Sequence, residues 1–494
     1  MPRERREAAL ARTLVRLVKA PCDASLLFER AALLDRLGRA EEAQAAYLDV
    51  LRSQPTHADA LINLGSLLSR RGYRSAARLL YAEAVRQHPE RPAGHVNLAH
   101  LLHQSNEAIA ARRHYETALA LAPSLAEAHQ GLANVLDDLG EDQVAQFHRE
   151  QGWRRHAVVP RPYRGAGSPC RVLLIISAAG GNIPTAPFLD DMIFETTVLA
   201  AEFCSPDTPL PPHDVVWQAI GDADRCALQL AAAERILRAS ARSVINSPAR
   251  VAATGRAETA ALLAGIPGLV VPLTARVSRA ELSGTGWEAR LEARGFAFPL
   301  LVRAPGFHTG RQFVSVAGAG AFAAAVAALP GEALFVIGLF DARGADGFYR
   351  KYRVMLIDGQ IYPLHLAISR DWKVHYFTAA MVGNEAFRVE EARFLADMEA
   401  VLGPTAMAAL ATVRDRLGLD YAGIDFALGA RGEVLLFEAN AAMAIVAPNG
   451  DARWDYRRGA IERARAAVRR VLMGRAEEGW MASAPRATAR CVSQ

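Results

Sequence analysis

A period of 34 residues runs through the first third of the chain. Pro55, Pro89 and Pro123 each follow the last by this step (89 − 55 and 123 − 89). The same step separates turn-prone residues, small residues and aromatics: Gly38, Gly72, Asn106 and Gly140; Ala43, Ala77, Ala111 and Ala145; Tyr47, Tyr81 and Tyr115. A fixed period of this length indicates stacked helical units, because each unit can bury its apolar face only against its neighbours.

This pattern resembles the tetratricopeptide repeat, which has a glycine between two helices, a small residue where they cross, and a proline after the second. The resemblance covers about residues 24–154, with three full repeats and a partial fourth that fades at Gly152-Trp153. A capping helix is predicted before them, over 3–19. It implies an all-α solenoid at 1–155 whose groove binds a peptide or protein. A spacer or dimerisation arm is the alternative, since fold does not fix function.

Histidines are frequent in the repeat region: His57, His88, His95, His100, His103, His114 and His129. Their spacing is not that of metal ligands across one helical turn. We therefore interpret them as solvated or groove-facing residues.

A stretch rich in proline and glycine, 156–169, predicts a linker. After it, apolar strands at 171–176, 214–220 and 243–246 alternate with a helix over 227–239, and the first strand runs into a small-residue loop, 177–182. Alternation of strands and helices predicts a parallel sheet. We assign 170–290 to this α/β domain.

Two apolar segments, 422–427 and 433–440, flank the turn-prone 428–432 and predict an antiparallel hairpin. Glu438 and Asn440 share one face because side chains alternate across a strand, and Asp425 on the partner strand can meet them there. Such oxygen donors suit Mg²⁺. The alternative is a polar hairpin edge, since these residue types are common near turns.

An Asp followed by Glu-x-Asn at this spacing resembles the metal-binding end of ATP-grasp carboxylate–amine ligases, such as D-alanine:D-alanine ligase and the ribosomal-protein glutamate ligases. The resemblance implies an α/β (α+β) ATP-grasp fold, with the nucleotide- and metal-binding domain at 291–472. It also implies that Asp425, Glu438 and Asn440 hold Mg²⁺ ions bridging the phosphates of ATP.

A second group of residues is expected to bind ATP. A strand that ends in Arg303 and continues into a loop with two glycines and a hydroxyl can surround a triphosphate. The family usually has Lys-Pro there, and Gly255-Arg256 stands where many members have Asp-Lys. By resemblance, main-chain groups from Ile337 to Leu339 meet the adenine and Asp341 the ribose, which gives the expected set Arg256, Arg303, Gly306, His308, Thr309, Gly310, Ile337, Leu339 and Asp341.

The catalytic cations are expected on a hairpin over 349–363, formed by two alternating runs across Asp358-Gly359. By resemblance, Arg353 stabilises the acyl phosphate and the tetrahedral intermediate, with Lys351 in support. Downstream polar residues are expected to bind substrate, with a solvated loop as the alternative; they are His365, Arg370, Lys373 and His375.

Composition excludes several other classes. The net charge of +5 and pI near 9.0 come without a basic block interleaved with aromatics, so we expect no nucleic-acid partner. Five scattered cysteines without CxxC spacing argue against a disulfide framework and a zinc site. The apolar segment 317–340 contains Pro330, Gly331 and Glu332, which argues against a membrane span, and the charged N-terminus is unlike a signal peptide. We expect a cytoplasmic protein with a loose tail over 473–494.

The sequence thus predicts an enzyme: an ATP- and Mg²⁺-dependent ligase that activates a carboxylate as an acyl phosphate and condenses it with an amine or another nucleophile. The repeat array is expected to recruit a peptide or protein. A non-catalytic ATP-binding scaffold and an ATP-grasp phosphotransferase remain as alternatives. These residues do not identify the substrate, and a homodimer is one of the assemblies that they leave open.

Overall fold

A computed structural model describes residues 3–307, 310–374, 379–448 and 451–483. It consists of two compact units. The first comprises Met1–Gly180 and Leu189–Asp214, and the second comprises Gly181–Phe188 and Val215–Gln494. The division therefore does not coincide with the predicted linker at 156–169.

The first unit begins with helices that alternate in antiparallel pairs, as the 34-residue period predicts. They are α1 (Arg3–Lys19), α2 (Ala24–Arg36), α3 (Ala40–Ser53), α4 (Ala58–Arg70), α5 (Arg74–Gln87), α6 (Pro92–Gln104), α7 (Ala108–Leu121), α8 (Ala126–Leu139) and α9 (Asp142–Trp153). The fourth pair, α8 and α9, has both helices. The second of these helices ends at Trp153, and Ala145 supplies the small buried residue where α9 meets α8.

The periodic residues have the physical roles that their types suggest. The turn between the helices of each pair has a residue with positive φ: 75° at Gly38, 87° at Gly72, 62° at Asn106 and 80° at Gly140. Glycine and asparagine tolerate this conformation best. The periodic alanines and tyrosines lie in the apolar cores of the array. The repeats are therefore built from one recurring set of turn and crossing residues.

Three strands complete the first unit: β1 (Val158–Pro160), β2 (Cys170–Ile176) and β3 (Phe194–Ala200). β3 pairs in parallel with β2 and antiparallel with β1. A short 3₁₀ helix, Ala201–Phe203, follows β3. The predicted strand after the linker is present.

The second unit begins with a parallel strand pair, β4 (Val215–Gln218) and β5 (Val244–Ile245), which flank α10 (Ala227–Leu237). Two further helices follow, α11 (Pro248–Ala252) and α12 (Arg256–Leu263). Asn246 has a φ of 57°, and its side chain donates a hydrogen bond to the Tyr421 carbonyl at 2.7 Å. This side chain ties the end of β5 to a strand much later in the chain.

A four-stranded antiparallel sheet has the order β7-β10-β8-β9. Its strands are β7 (Thr274–Ser278), β8 (Leu300–Arg303), β9 (Phe313–Val316) and β10 (Ala333–Gly338). The helices α13 (Arg279–Ser283), α14 (Trp287–Ala293) and α15 (Ala319–Ala328) share its apolar core. β7 lies before the boundary predicted at 290 and yet pairs with β10, so that boundary does not separate two sheets.

A five-stranded sheet has the order β12-β11-β13-β14-β6. Its strands are β6 (Leu269–Val270), β11 (Tyr349–Ile357), β12 (Gln360–Ser369), β13 (Tyr421–Leu428) and β14 (Val434–Asn440). Both predicted hairpins, β11–β12 and β13–β14, are antiparallel. The chain after the repeats is therefore a mixed α/β region.

The remaining helices are α16 (Glu385–Ala396), α17 (Met398–Leu417) and α18 (Arg458–Ser483), with a 3₁₀ helix at Ala452–Arg457. α17 bends at Gly403, whose φ is 76°, just before Pro404. The tail expected from residue 473 was wrong for 473–483, because α18 keeps burying apolar residues such as Ala476. Residues 484–494 lie outside the described part.

Among the described residues, no single helix has the length and apolar character needed to cross a membrane. One pair of helices, α16 and α17, meets the criteria of length and composition together, with a bend of 65° between them.

Candidate functional site

A cavity of about 1000 Å³ lies within the second unit, and both of its larger sheets contribute to the wall. Most residues proposed from the sequence line this cavity, although they come from segments far apart in the chain. They are Arg256, Arg303, Gly310, Ile337, Leu339, Asp341, Lys351, Arg353, His365, Lys373, Asp425, Glu438 and Asn440. We call this space the central cavity.

The remaining proposed residues are not part of the described wall of this cavity. Gly306 lines a smaller adjoining pocket together with Arg303 and Glu438. Arg370 does not belong to the described wall of the central cavity; its guanidinium lies 5.5 Å from the centre of the Phe348 ring. His308, Thr309 and His375 lie outside the described residues.

The hairpin of β13 and β14 brings the three predicted oxygen donors to one wall. Asp425 pairs directly with Glu438, and Gly423 pairs with Asn440. The register shifts by one residue after Asp425, which is a local irregularity of the ladder. Paired residues of antiparallel strands point to the same face, so Asp425 and Glu438 face the cavity together.

Asp425 is buried and neutralised by two cations of the neighbouring strand β11. Arg353 donates to both carboxylate oxygens, from Nε at 2.5 Å and from Nη2 at 2.7 Å, and Lys351 Nζ lies 3.1 Å from Oδ2. Burial by itself raises the pKa of Asp425, but the charges of Arg353 and Lys351 outweigh it and hold this pKa far below its usual range. Asp425 is therefore a permanent carboxylate.

Glu438 and Asn440 form the second part of this wall. Glu438 Oε1 accepts hydrogen bonds from Arg256 Nη2 at 2.7 Å and from Asn440 Nδ2 at 2.8 Å. Asn440 Oδ1 accepts from the backbone N–H of Ala442 at 2.9 Å. Arg256 is the first residue of α12, so this ion pair joins the Glu438 carboxylate to that helix.

The donors of this wall suit Mg²⁺ better than a cation that needs many protein ligands. In the described ranges, no group of three or more His, Cys, Asp or Glu side chains is placed to hold a metal ion. Mg²⁺ needs fewer, because it binds one or two carboxylates and keeps waters and phosphate oxygens. Glu438 and Asn440 fit this requirement, whereas Asp425 fits it only when Arg353 turns to another anion.

Arg303 and Lys373 also line the central cavity. The Arg303 guanidinium donates to the Phe307 carbonyl and lies 5.6 Å from the centre of the Phe313 ring. Burial, and then the charge of Arg256, lowers the pKa of Arg303, but a guanidinium stays protonated at any ordinary pH. Lys373 Nζ donates to the carbonyls of Gly310 at 3.0 Å and Phe313 at 2.8 Å. Several cations therefore surround a space large enough for a nucleotide.

His365 is a further titratable group whose pKa is shifted by this environment. It is buried on β12 opposite Arg353. Burial, followed by the charge of Arg353, lowers the pKa of His365 well below its usual value. The imidazole is therefore neutral in the folded protein.

This neutral histidine leads to a pH prediction. Below the unfolded pKa of about 6.5, the unfolded chain binds a proton that the folded chain rejects, so stability falls as pH falls. The uptake of this one proton lowers the free energy of unfolding by about 1.4 kcal/mol for each pH unit below the unfolded pKa, and His365→Gln should remove that contribution. Urea unfolding at pH 7.5 and 5.5 without divalent cations checks it: the variant should lose less stability than the wild type, and equal losses would contradict the assignment.

The structure adds cavity residues that the sequence argument did not select as site residues. Asn182, Arg225, Arg343 and Trp372 line the wall. The small-residue loop containing Asn182 was visible as a weak signal after a strand. Arg225 follows Asp222 and Asp224, and the Asp224 carboxylate accepts a hydrogen bond from the Arg256 backbone N–H at 3.0 Å. A search for charged loops at strand ends would have found this segment.

Comparison with known proteins bears on the repeats. Residues 24–57 match the family model of the tetratricopeptide repeat. Similar solved structures include MamA 41-end from Desulfovibrio magneticus RS-1, with 20% identity over 29% of this chain and 81% of that one, at a TM-score of 0.27. Another is YrrB, described as a TPR protein with an unusual peptide-binding site, with 19% identity over 29% and 74%, also at 0.27. The comparison with curated proteins gave no match.

Proposed function

We propose that this chain, which carries tetratricopeptide repeats ahead of a mixed α/β region, is an ATP- and Mg²⁺-dependent ligase of the ATP-grasp type. The observation that carries the proposal is the convergence on one cavity of cations from two sheets and of oxygen donors from one hairpin. Arg303 comes from the four-stranded sheet, Lys351 and Arg353 from the five-stranded one. This charge arrangement suits a polyanion bound with a divalent cation.

The reaction we propose has two steps. An oxygen of the substrate carboxylate attacks the γ-phosphorus of ATP, the bond to the bridging oxygen breaks, and ADP leaves with its electron pair. An amine or another nucleophile then attacks the acyl carbon, inorganic phosphate leaves, and the nucleophile gives up its proton. Phosphoryl transfer of this kind depends mainly on positioning and charge neutralisation.

The residues of the cavity have distinct roles in this scheme. Arg303 and Arg256 hold phosphate oxygens, and Arg353 with Lys351 neutralises the charge that develops on the reacting carboxylate. Glu438 and Asn440 would hold Mg²⁺, and Asp425 would be available as a further oxygen donor if Arg353 turned to the substrate. The cation, when bound, neutralises charge on the phosphates. Ile337, Leu339 and Asp341 offer an apolar strand end and a carboxylate for the nucleoside.

The repeat array is proposed to recruit the substrate or a partner. Tetratricopeptide repeats imply binding of a peptide or protein, and the family match at 24–57 supports that general role. A peptide or protein that carries the reacting carboxylate is the simplest substrate consistent with both units. The cytoplasmic location expected from the sequence stays a prediction.

One observation favours a second candidate, a scaffold that binds ATP without turning it over. Both oxygens of Asp425 are held by Arg353 in a buried bidentate pair, and Lys351 adds a third contact. A carboxylate this well neutralised can serve the fold alone. In that case ATP binds, but no ADP forms.

The test measures ATP binding by calorimetry with Mg²⁺ and then ADP release with a panel of carboxylic acids and peptides. A ligase gives ADP that depends on both acid and amine, and mass spectrometry shows a condensed product. A phosphorylated product in place of a condensed one identifies a phosphotransferase. Binding without ADP from any acid supports the scaffold, and the lack of binding overturns every nucleotide-based function.

A further inference from the structure

Two pairs of histidines repeat along the array at the period of 34 residues (129 − 95 and 148 − 114). His95 on α6 meets His114 on α7, and His129 on α8 meets His148 on α9. The Nδ1 atoms are 3.0 Å apart in the first pair and 2.8 Å in the second. His95 and His129 are buried, so they are not solvated as the sequence led us to expect. The pairing has no local signal in the sequence, because its members lie on different helices.

The first ring of each pair has a fixed tautomer. His95 Nε2 lies 3.0 Å from the carbonyl oxygen of Pro89, and His129 Nε2 lies 2.9 Å from that of Pro123. A carbonyl only accepts, so each Nε2 carries the proton and each Nδ1 presents its lone pair to the partner ring. A metal-binding histidine is oriented in the same way, with its other ring N–H donated to a carbonyl or carboxylate.

The spacing of the rings also suits a shared cation. Two imidazoles on a tetrahedral zinc, with bonds of 2.0–2.1 Å, have ring centres about 5.2 Å apart and nitrogens about 3.3 Å apart. The ring centres are 5.3 Å apart in the first pair and 5.0 Å in the second. The Nδ1 atoms, at 3.0 and 2.8 Å, would have to separate by about 0.3–0.5 Å to reach the distance required by zinc.

The protonation state agrees with this geometry. Burial, and then the neighbouring histidine, lowers the pKa of His114 and that of His148. A metal ligand must be the neutral imidazole, which this shift favours for these two rings. The charge of Glu116 acts in the opposite direction and raises the pKa of His148.

The repeat fold does not need these histidines. In the preceding repeat, the positions that correspond to His95 and His114 are Leu61 and Leu80 (95 − 34 and 114 − 34), which lie in one small apolar cluster. Leucine therefore fills the same helix–helix contact. The pairs replace a contact that apolar packing alone can make.

We propose that each histidine pair binds one late transition-metal cation such as Zn²⁺ through its two Nδ1 atoms, with water completing the shell. Imidazole nitrogen suits these cations, whereas the oxygen donors of the central cavity suit Mg²⁺. The proposal is independent of the ligase function. The competing account is a plain Nδ1–H···Nδ1 hydrogen bond in each pair.

The test is a titration of the full chain with Zn²⁺ against a chromogenic zinc indicator in excess Mg²⁺. His114→Leu should weaken binding by more than tenfold at one site and His148→Leu at the other, while the double variant should lose both. Leucine is the residue of the preceding repeat, and circular dichroism checks the fold. His213→Gln, whose ring contacts the Pro211 carbonyl outside the array, is the matched control and should bind as the wild type does.

A second readout uses Co²⁺, whose visible absorption reports tetrahedral nitrogen coordination. The wild type should give bands that fall by about half in each single variant and vanish in the double variant. Zinc binding that is equal in the wild type and the double variant, or cobalt bands that do not depend on these residues, overturns the proposal and leaves the hydrogen-bonded pairs.

Discussion

Replacing Glu438 by glutamine should reduce ATP-dependent ADP formation by at least about a hundredfold, a size typical of losing one preorganised charge contact in an active site. Glu438 presents a carboxylate to the central cavity beside Asn440 and is joined to Arg256. Glutamine keeps the shape and removes the charge. The apparent affinity for Mg²⁺ should fall by more than tenfold if Glu438 is a ligand of the cation, as proposed.

The matched control is Glu433→Gln on the same hairpin. The Glu433 carboxylate accepts from the Arg431 backbone N–H at 2.9 Å at the turn and is not among the described residues of the cavity wall. Its loss should leave both ADP formation and the Mg²⁺ requirement near wild-type values. A role of Glu438 limited to holding Arg256 would show as an unchanged Mg²⁺ requirement, and that result would contradict the metal assignment.

Arg353→Ala should destabilise the protein by about 3 kcal/mol, since removing one partner of a buried ion pair leaves an uncompensated charge. Asp425 has 5% of its side chain exposed and relies on Arg353 for two hydrogen bonds. Lys351 at 3.1 Å remains as partial compensation, which places the expected loss at the low end for such pairs. Urea unfolding in the absence of nucleotide measures it.

Arg343→Ala is a control with the same geometry in a different environment. Arg343 and Asp341 form a bidentate pair with distances of 3.0 and 2.6 Å, but each side chain is 56% exposed. An exposed pair contributes about 0–1 kcal/mol, so this variant should unfold near the wild type. Equal losses in the two variants would mean that burial of Asp425 does not matter. If Arg353→Ala does not fold, Arg353→Lys, which keeps the charge and loses the bidentate contact, should show a smaller loss.

The repeats and the hairpins could be predicted because their signals are local. A 34-residue period, a turn glycine and alternating apolar residues each act within a few tens of residues, and the elements lie where those signals place them. Pairings across long distances were less accessible. β7 joins the four-stranded sheet through β10, and nothing in the sequence of Thr274–Ser278 predicts that partner strand.

The sequence indicated which residues line the cavity, but it did not indicate which of them form ion pairs with one another. Asp425, Glu438 and Asn440 were selected as oxygen donors, and they line one wall of the cavity. The sequence did not indicate that Arg353 would hold both oxygens of Asp425, because the pairing of β11 with β13 decides it. Charge neutralisation depends on which strands are neighbours, and strand order is the least local property of a sheet.

The position of Lys373 matters for chemical labelling, because the chain contains only three lysines, the others being Lys19 and Lys351. Lys351 is largely buried against Asp425, and Lys19 lies on the first helix, far away in sequence. Amine-directed acylation near the cavity therefore has one accessible target, exposed Lys373. Acetylation there would remove the ammonium that joins Gly310 and Phe313, so a single enzymatic acetyl mark, or a single fluorophore, could loosen or report on this rim.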